Sequence, residues 1–169
     1  RKLNIDVNPP DINISDINFR PINDNTISFG LNAIKNVGIK ALEKIVESRK
    51  KYKSFNNIFE FTSSVSLQTV NKKVLESLNM AGALDSLDGN RAQKDVSVEL
   101  ALKYGQTIQE NKAKNQVDLF GALENSESEN SFIPSLPKIE EWKEEKILEK
   151  EKEVLGMYLS GQPLLKFAE

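Results

Sequence analysis

The chain holds no cysteine and no histidine in 169 residues. That excludes disulfides, thiol nucleophiles, Cys/His zinc sites and Ser-His-Asp triads. It also lacks any apolar run near the ~20 residues that a membrane span needs, so no membrane partner is expected. Neither a P-loop, a nucleophile elbow nor a metal-ligand spacing is present. Asp85 and Asp88 lie close together, but beside a helix start, where capping accounts for both. No catalytic residue, metal ligand or cofactor is assigned on these grounds. With no signal peptide and no initiator Met, the chain reads as a piece of a longer intracellular protein.

What is present is a polar, charged sequence with an uneven charge distribution. Its formal net charge is -2. Residues 31–53 carry seven Lys/Arg against two Glu, a balance of +5, whereas residues 124–153 carry five Lys against ten Glu, a balance of -5. A local basic face suits phosphates, while the acidic stretch keeps the remainder hydrated. Because the whole is not basic, only weak nucleic-acid binding is expected of the isolated chain.

The pattern predicts a mainly α protein with a small N-terminal β portion. Leu3, Ile5 and Val7 alternate with polar residues, Pro9-Pro10 stops that strand, and Ile12 and Ile14 alternate again. Ile22, Ile27 and Phe29 around Asp24-Asn25 predict two short strands and a turn. After Gly30 the period becomes helical. Ile39, Leu42, Ile45 and Val46 mark one helix, whose basic end, Arg49-Lys50-Lys51, complements its dipole. Phe55, Ile58, Phe59 and Phe61 are core candidates. Asn71 caps a second helix with Val74, Leu75 and Leu78 inward. A longer helix is expected from Arg91, with Val96, Leu100, Tyr104 and Ile108 on its apolar face. A final charged helix, over about residues 139–155, carries the only tryptophan, Trp142, and its charges read as a solvated face.

Two glycine-centred turns stand between helices, at Lys35-Asn36-Val37-Gly38-Ile39-Lys40 and at Ala81-Gly82-Ala83. Helix, tight turn and helix form a helix-hairpin-helix. Glycine permits left-handed or crowded backbone, and the next helix begins with N–H groups that lack intrahelical partners. Those donors and the helix dipole suit a DNA phosphate. Asn36 tolerates the left-handed region, Val37 and Ile39 anchor the hairpin, and Lys35 and Lys40 flank it. Lys72, Lys73 and Arg91 add cations. A tandem pair would grip both strands of a duplex through its backbone and read no sequence. Plain glycine C-capping between helices is the competing reading.

Gln116, Val117, Asp118, Leu119 and Phe120 place two large apolar side chains in a polar stretch that cannot bury much surface. Either both drop into a pocket on a partner, as a short linear motif, or they pack back onto their own domain.

In order along nearly the whole chain, several stretches resemble the alpha subunits of bacterial DNA polymerase III, the replicative C-family polymerases. They are Val7-Asn8-Pro9-Pro10-Asp11-Ile12-Asn13, the run from Ile27-Ser28-Phe29-Gly30 through Lys35-Asn36-Val37-Gly38, Asn71-Lys72-Lys73-Val74-Leu75-Glu76, Ala81-Gly82-Ala83-Leu84-Asp85-Ser86-Leu87, Gln116 through Gly121, and Leu155-Gly156-Met157-Tyr158-Leu159-Ser160-Gly161. The resemblance implies the end of a fingers domain over residues 1–19 and a tandem helix-hairpin-helix domain over 20–112. It implies a flexible clamp-binding segment over 113–138, and a charged helix over 139–169 leading to an oligonucleotide-binding domain. Gln116, Val117, Asp118, Leu119 and Phe120 would bind the sliding clamp. Primer-template DNA, the clamp and other holoenzyme subunits are the implied partners, in a bacterial cytoplasm. The palm, with its catalytic aspartates and magnesium, would lie upstream, so this segment supports synthesis without performing it. Gln162 departs from the histidine that often precedes the proline in the family, and Val117 occupies a tolerant slot. A helix-hairpin-helix module of a repair enzyme, or an error-prone alpha-like polymerase, is the alternative, and the residue 116–120 motif argues against both. A scaffold whose basic face binds an acidic protein is a further alternative, which salt-dependent binding to random-sequence DNA would discriminate.

Overall fold

A computed structural model describes residues 5–118 and 133–156. Among them the chain is mostly helical, with a small three-stranded sheet at its N-terminal end. The strands are β1 (Asp6–Asn8), β2 (Arg20–Asn23) and β3 (Thr26–Ser28). They are ordered β1-β3-β2, with β1 parallel and β2 antiparallel to β3. The β2–β3 hairpin turns at Asp24-Asn25 as its sequence predicts. The Ile12/Ile14 alternation is not a strand. It lies in a turn that buries Ile12 and leaves Ile14 exposed. Asp11 holds this turn, accepting from the Asn13 N–H and, through its carbonyl, from Ser15 N–H. A side chain that caps local amides offers the backbone an alternative to a strand ladder.

A short 3₁₀ helix (Leu31–Ala33) leads into six helices: α1 (Ile39–Tyr52), α2 (Ile58–Ser64), α3 (Lys72–Met80), α4 (Arg91–Val96), α5 (Val98–Asp118) and α6 (Glu144–Leu155). Side-chain caps set three of their starts. Asn57, Asn71 and Asn90 accept from the N–H groups of Glu60, Val74 and Gln93. One core runs through Leu42, Ile45, Phe59, Phe61, Leu75, Leu78 and Leu84. The aromatic cluster is inside it, with Phe55 and Phe61 edge to face at 5.1 Å.

The expected long helix is broken at Ser97, and its inward face is only partly the one the spacing suggests: Tyr104 packs edge-on against Phe59, with ring centroids 5.6 Å apart. Val96 and Leu100 are exposed, while Val98, Ala101 and Gly105 are buried. The reason is the closeness of α2. A Cβ on Gly105 would stand 2.5 Å from the Thr62 carbonyl oxygen. The Thr62 hydroxyl donates to the Ala101 carbonyl at 2.7 Å, and Gln109 Nε2 donates to the Thr62 and Val65 carbonyls. Backbones this close need small residues facing each other, which a count of large apolar residues passes over.

The charged C-terminal helix is also more than a solvated face. It starts at Glu144 rather than near 139, and Leu148, Glu151 and Val154 are buried. Before it, residues 133–143 form no helix or strand and are fastened to the start of α4. Gln93 Nε2 donates to the Pro137 carbonyl and Asn90 Nδ2 to that of Ile139.

Candidate nucleic-acid interface

The first hairpin is built from the 3₁₀ helix, a turn over residues 34–38 and α1. Ile34 and Val37 are buried and seat it on the core. Ile39, expected to help, is 55% exposed. The left-handed residue of the turn is Asn36, at φ 69°, and its Nδ2 donates to Ser77 Oγ of α3 at 3.3 Å. Gly38 has an extended backbone (φ -76°, ψ 161°), and a Cβ added there would meet nothing within 4 Å. Conformation therefore does not require glycine at 38. What its small size does is keep the approach to the α1 N-terminus open.

That approach leads to donors with no acceptor among the described residues. The Lys35 N–H is taken by the Val154 carbonyl at 2.8 Å, and Leu42 N–H bonds back to Gly38. Between them, the N–H groups of Asn36, Val37, Gly38, Ile39, Lys40 and Ala41 donate to no described residue. Lys35 and Lys40 are exposed on either side, and no described carboxylate lies within salt-bridge distance of either. Unpaired N–H groups, the positive end of a 14-residue helix and two ammonium groups make an anion-accepting corner.

The second hairpin differs. Gly82 sits at φ 83°, where its N–H donates to the Asn79 carbonyl and that of Ala83 to Leu78. Ala81 N–H donates to Ser77. This is the glycine C-cap of α3, which satisfies the helix's last carbonyls with the turn's own amides. The amides of Ala81, Gly82 and Ala83 thus face inward to their helix, and both alanines are buried. The start of α4 is likewise occupied from within. Glu141 accepts from the N–H groups of Arg91 and Ala92 at 2.9 and 3.0 Å, so a carboxylate stands at that helix end.

Arg91, expected among the DNA contacts, is turned into the protein. It is 5% exposed, with Nε and Nη2 on Asp85 at 2.9 and 2.7 Å and Nη1 on Glu151 at 2.8 Å. Burial alone would lower its pKa, but the hydrogen bonds and charges of Asp85 and Glu151 outweigh that and raise it. Lys72 is paired with Glu99 at 2.7 Å, which raises its pKa through that hydrogen bond and lowers that of Glu99. Lys73 is exposed. The clamp-motif residues lie outside what the structure describes. The α5 backbone reaches Asp118, and neither the side chains of Gln116, Val117 and Asp118 nor any part of Leu119 and Phe120 is described.

Sequence reasoning missed three residues that shape this region. Arg49, read only as a helix-end cation, donates to the Ile12 and Ser15 carbonyls at 2.9 and 2.7 Å and holds the N-terminal turn on α1. Glu141 and Glu151 were lost among the many glutamates of an acidic stretch. A signal existed for Glu151: with Leu148 and Val154 it falls on one helical face.

A profile described as a helix-hairpin-helix motif matches residues 4–94. Three curated relatives are each called DNA polymerase III subunit alpha. That of Vibrio cholerae is 37% identical over 97% of this chain, that of Escherichia coli K12 34% over 98%, and that of Thermus aquaticus 38% over 99%. The chain spans only about 14% of the length of the first two and 13% of the third. The motif and the polymerase relatives together support DNA binding. No helix among the described residues is long and apolar enough to cross a membrane. The chain therefore belongs to the helix-hairpin-helix family, and along nearly its whole length it is homologous to one segment of bacterial DNA polymerase III alpha subunits.

Proposed function

We propose that this chain is the duplex-holding and clamp-tethering segment of a replicative DNA polymerase, a DNA-directed nucleotidyltransferase of the bacterial cytoplasm. Its first hairpin binds the backbone of primer-template DNA without reading sequence. The observation that carries this is the run of N–H groups from Asn36 to Ala41 that meet no acceptor among the described residues, framed by Lys35 and Lys40. Backbone donors facing a phosphate fix position and carry no base information. Residues 116–120 tether the polymerase to the sliding clamp, and the other holoenzyme subunits engage parts of the longer protein. Polymerisation and its magnesium ions belong to the palm. Among the described residues no cluster of acidic side chains fits a metal ion.

The second hairpin plays a different part in this reading. Its amides are engaged, so it braces the first hairpin through the Asn36–Ser77 bond and takes little of the DNA itself. A helix-hairpin-helix module of a repair enzyme, or an error-prone alpha-like polymerase, would share the hairpin but leaves the residue 116–120 motif unexplained.

The test is duplex affinity of Gly38→Ala and Lys35→Gln/Lys40→Gln variants against a random-sequence duplex. Both are expected to keep the fold, since neither position has a described partner to lose beyond the backbone. Both are expected to weaken binding. Unchanged affinity in folded variants would remove the hairpin from the interface.

A further inference from the structure

At the far end of α1 from the first hairpin, three side chains form a cluster. Tyr52, the last residue of α1, is 40% exposed. The Nζ of Lys51 stands 5.2 Å from its ring centroid, and the Nζ of Lys112, from α5, stands 5.9 Å from it. Two ammonium groups from different helices are therefore gathered on one ring. Like charges repel, and the negative face of an aromatic ring offsets part of that cost. A carboxylate would offset more, yet among the described residues none pairs with Lys51 or Lys112. Among the described residues the acid lining this cleft is Glu47, which is engaged by Lys44 at 3.5 Å. Lys50 and Lys53 beside it add exposed cations with no ion-pair partner among the described residues. The dipole at the C-terminal end of α1 offsets part of this charge, but with no carboxylate paired to Lys51 or Lys112 among the described residues, the two cations suit an external polyanion.

The distance to the first hairpin defines the ligand. α1 has 14 residues, so its two ends lie about 20 Å apart at 1.5 Å per residue. A DNA strand rises about 3.4 Å per base pair, so that interval spans about six base pairs of duplex. We infer that Tyr52, Lys51 and Lys112 form a second phosphate-binding site, on which the duplex held at the first hairpin rests its backbone about half a helical turn away. The ring is a positioning group, since cations already lie against it, and the ligand is sugar-phosphate rather than a stacked base. This rests on the duplex-binding reading of the first hairpin, and it makes α1 a rail with a phosphate contact at each end.

The experiment measures affinity of the intact chain for a 20-base-pair random-sequence duplex across salt concentrations, with circular dichroism as the folding control. Each phosphate contact contributes about 0.9 to the slope of log affinity against log salt. Lys51→Gln/Lys112→Gln is expected to reduce that slope by about 1.8, so that its deficit against the unaltered chain shrinks about tenfold between ~50 and ~200 mM salt. Tyr52→Phe, which keeps the ring, is expected to match the unaltered chain. Tyr52→Ala, which keeps both charges but releases them, is expected to fall between. A slope unchanged in Lys51→Gln/Lys112→Gln, with Lys35→Gln/Lys40→Gln losing binding, overturns this site and leaves the hairpin. A reduced slope in the former with none in the latter removes the hairpin and overturns the two-ended rail, leaving only a lone phosphate contact at Lys51 and Lys112. An unaltered chain with no salt-dependent affinity overturns both.

Discussion

Arg91 and Glu151 meet at 2.8 Å across 60 residues of chain, with side chains 6% and 0% exposed. The pair joins α6 to the second hairpin. One turn further along α6, the Val154 carbonyl accepts from Lys35 N–H in the first hairpin. A single helix therefore clasps both hairpins, and the relation between them depends on a buried ion pair.

Breaking that pair from one side strands a buried charge. Arg91→Met is expected to cost about 3–5 kcal/mol, because Asp85 and the buried Glu151 would both lose the guanidinium that binds them. Arg91→Met with Glu151→Leu is expected to recover most of the loss, since well-packed apolar pairs replace buried ion pairs at little cost. Urea unfolding of the single and double variants checks this. A double variant as unstable as the single would show that the cost lies in packing around Arg91 rather than in charge.

Two glycine-to-alanine changes are expected to differ sharply. At Gly105 the new Cβ would press on the Thr62 backbone at 2.5 Å. Overpacking there is expected to cost about 1–3 kcal/mol, more than the ~1 kcal/mol that alanine gains in a helix. At Gly38 the Cβ enters open space at a non-helical position, so stability is expected to stay within about 0.5 kcal/mol. Thermal unfolding of both variants decides it, and equal melting temperatures would contradict the close α2–α5 approach.

The contrast between these glycines shows what a sequence discloses and what it hides. The β2–β3 hairpin, α1, the aromatic core and the Asn71 cap follow from local pattern, because turn residues, apolar period and caps act over a few positions. The first hairpin was legible for the same reason. The second was not, since whether Ala81, Gly82 and Ala83 offer amides outward depends on bonds to Ser77, Leu78 and Asn79 and on Glu141 arriving from far along the chain. Arg91 looked like a surface cation until Asp85 and Glu151 closed on it. Tyr52 and Lys112 meet only when α1 and α5 are placed in space.

Lys94 carries a pH signature. It is fully buried, and its Nζ donates to the Leu84 and Leu87 carbonyls at 2.6 and 3.3 Å. Burial pushes its pKa below the ordinary 10.5. The unfolded chain then holds that proton more tightly than the folded one, so Lys94 makes stability rise with pH from its folded value up to about 10.5. Lys94→Met removes this contribution. The stability difference, unaltered chain minus variant, is expected to increase with pH through that window, and a flat difference in chemical unfolding from pH 8 to 10.5 would show that Lys94 titrates as an ordinary lysine.

The tether reading makes the last prediction. Leu119 and Phe120 follow α5 in a polar stretch, and each would contribute about 1.5–3 kcal/mol if fully buried in a partner's pocket. Ordering the segment removes part of that, so the isolated chain is expected to bind a bacterial sliding clamp at micromolar affinity or weaker. On DNA already carrying the clamp, effective concentration would raise the apparent strength without any new contact. Calorimetric titration of the clamp into the chain, beside Leu119→Ala/Phe120→Ala, separates the possibilities. Loss of heat in the variant alone assigns the motif to the clamp. Equal binding by both would place the contact elsewhere on the chain, and no heat from either, with the fold intact by circular dichroism, would return both side chains to packing within their own domain.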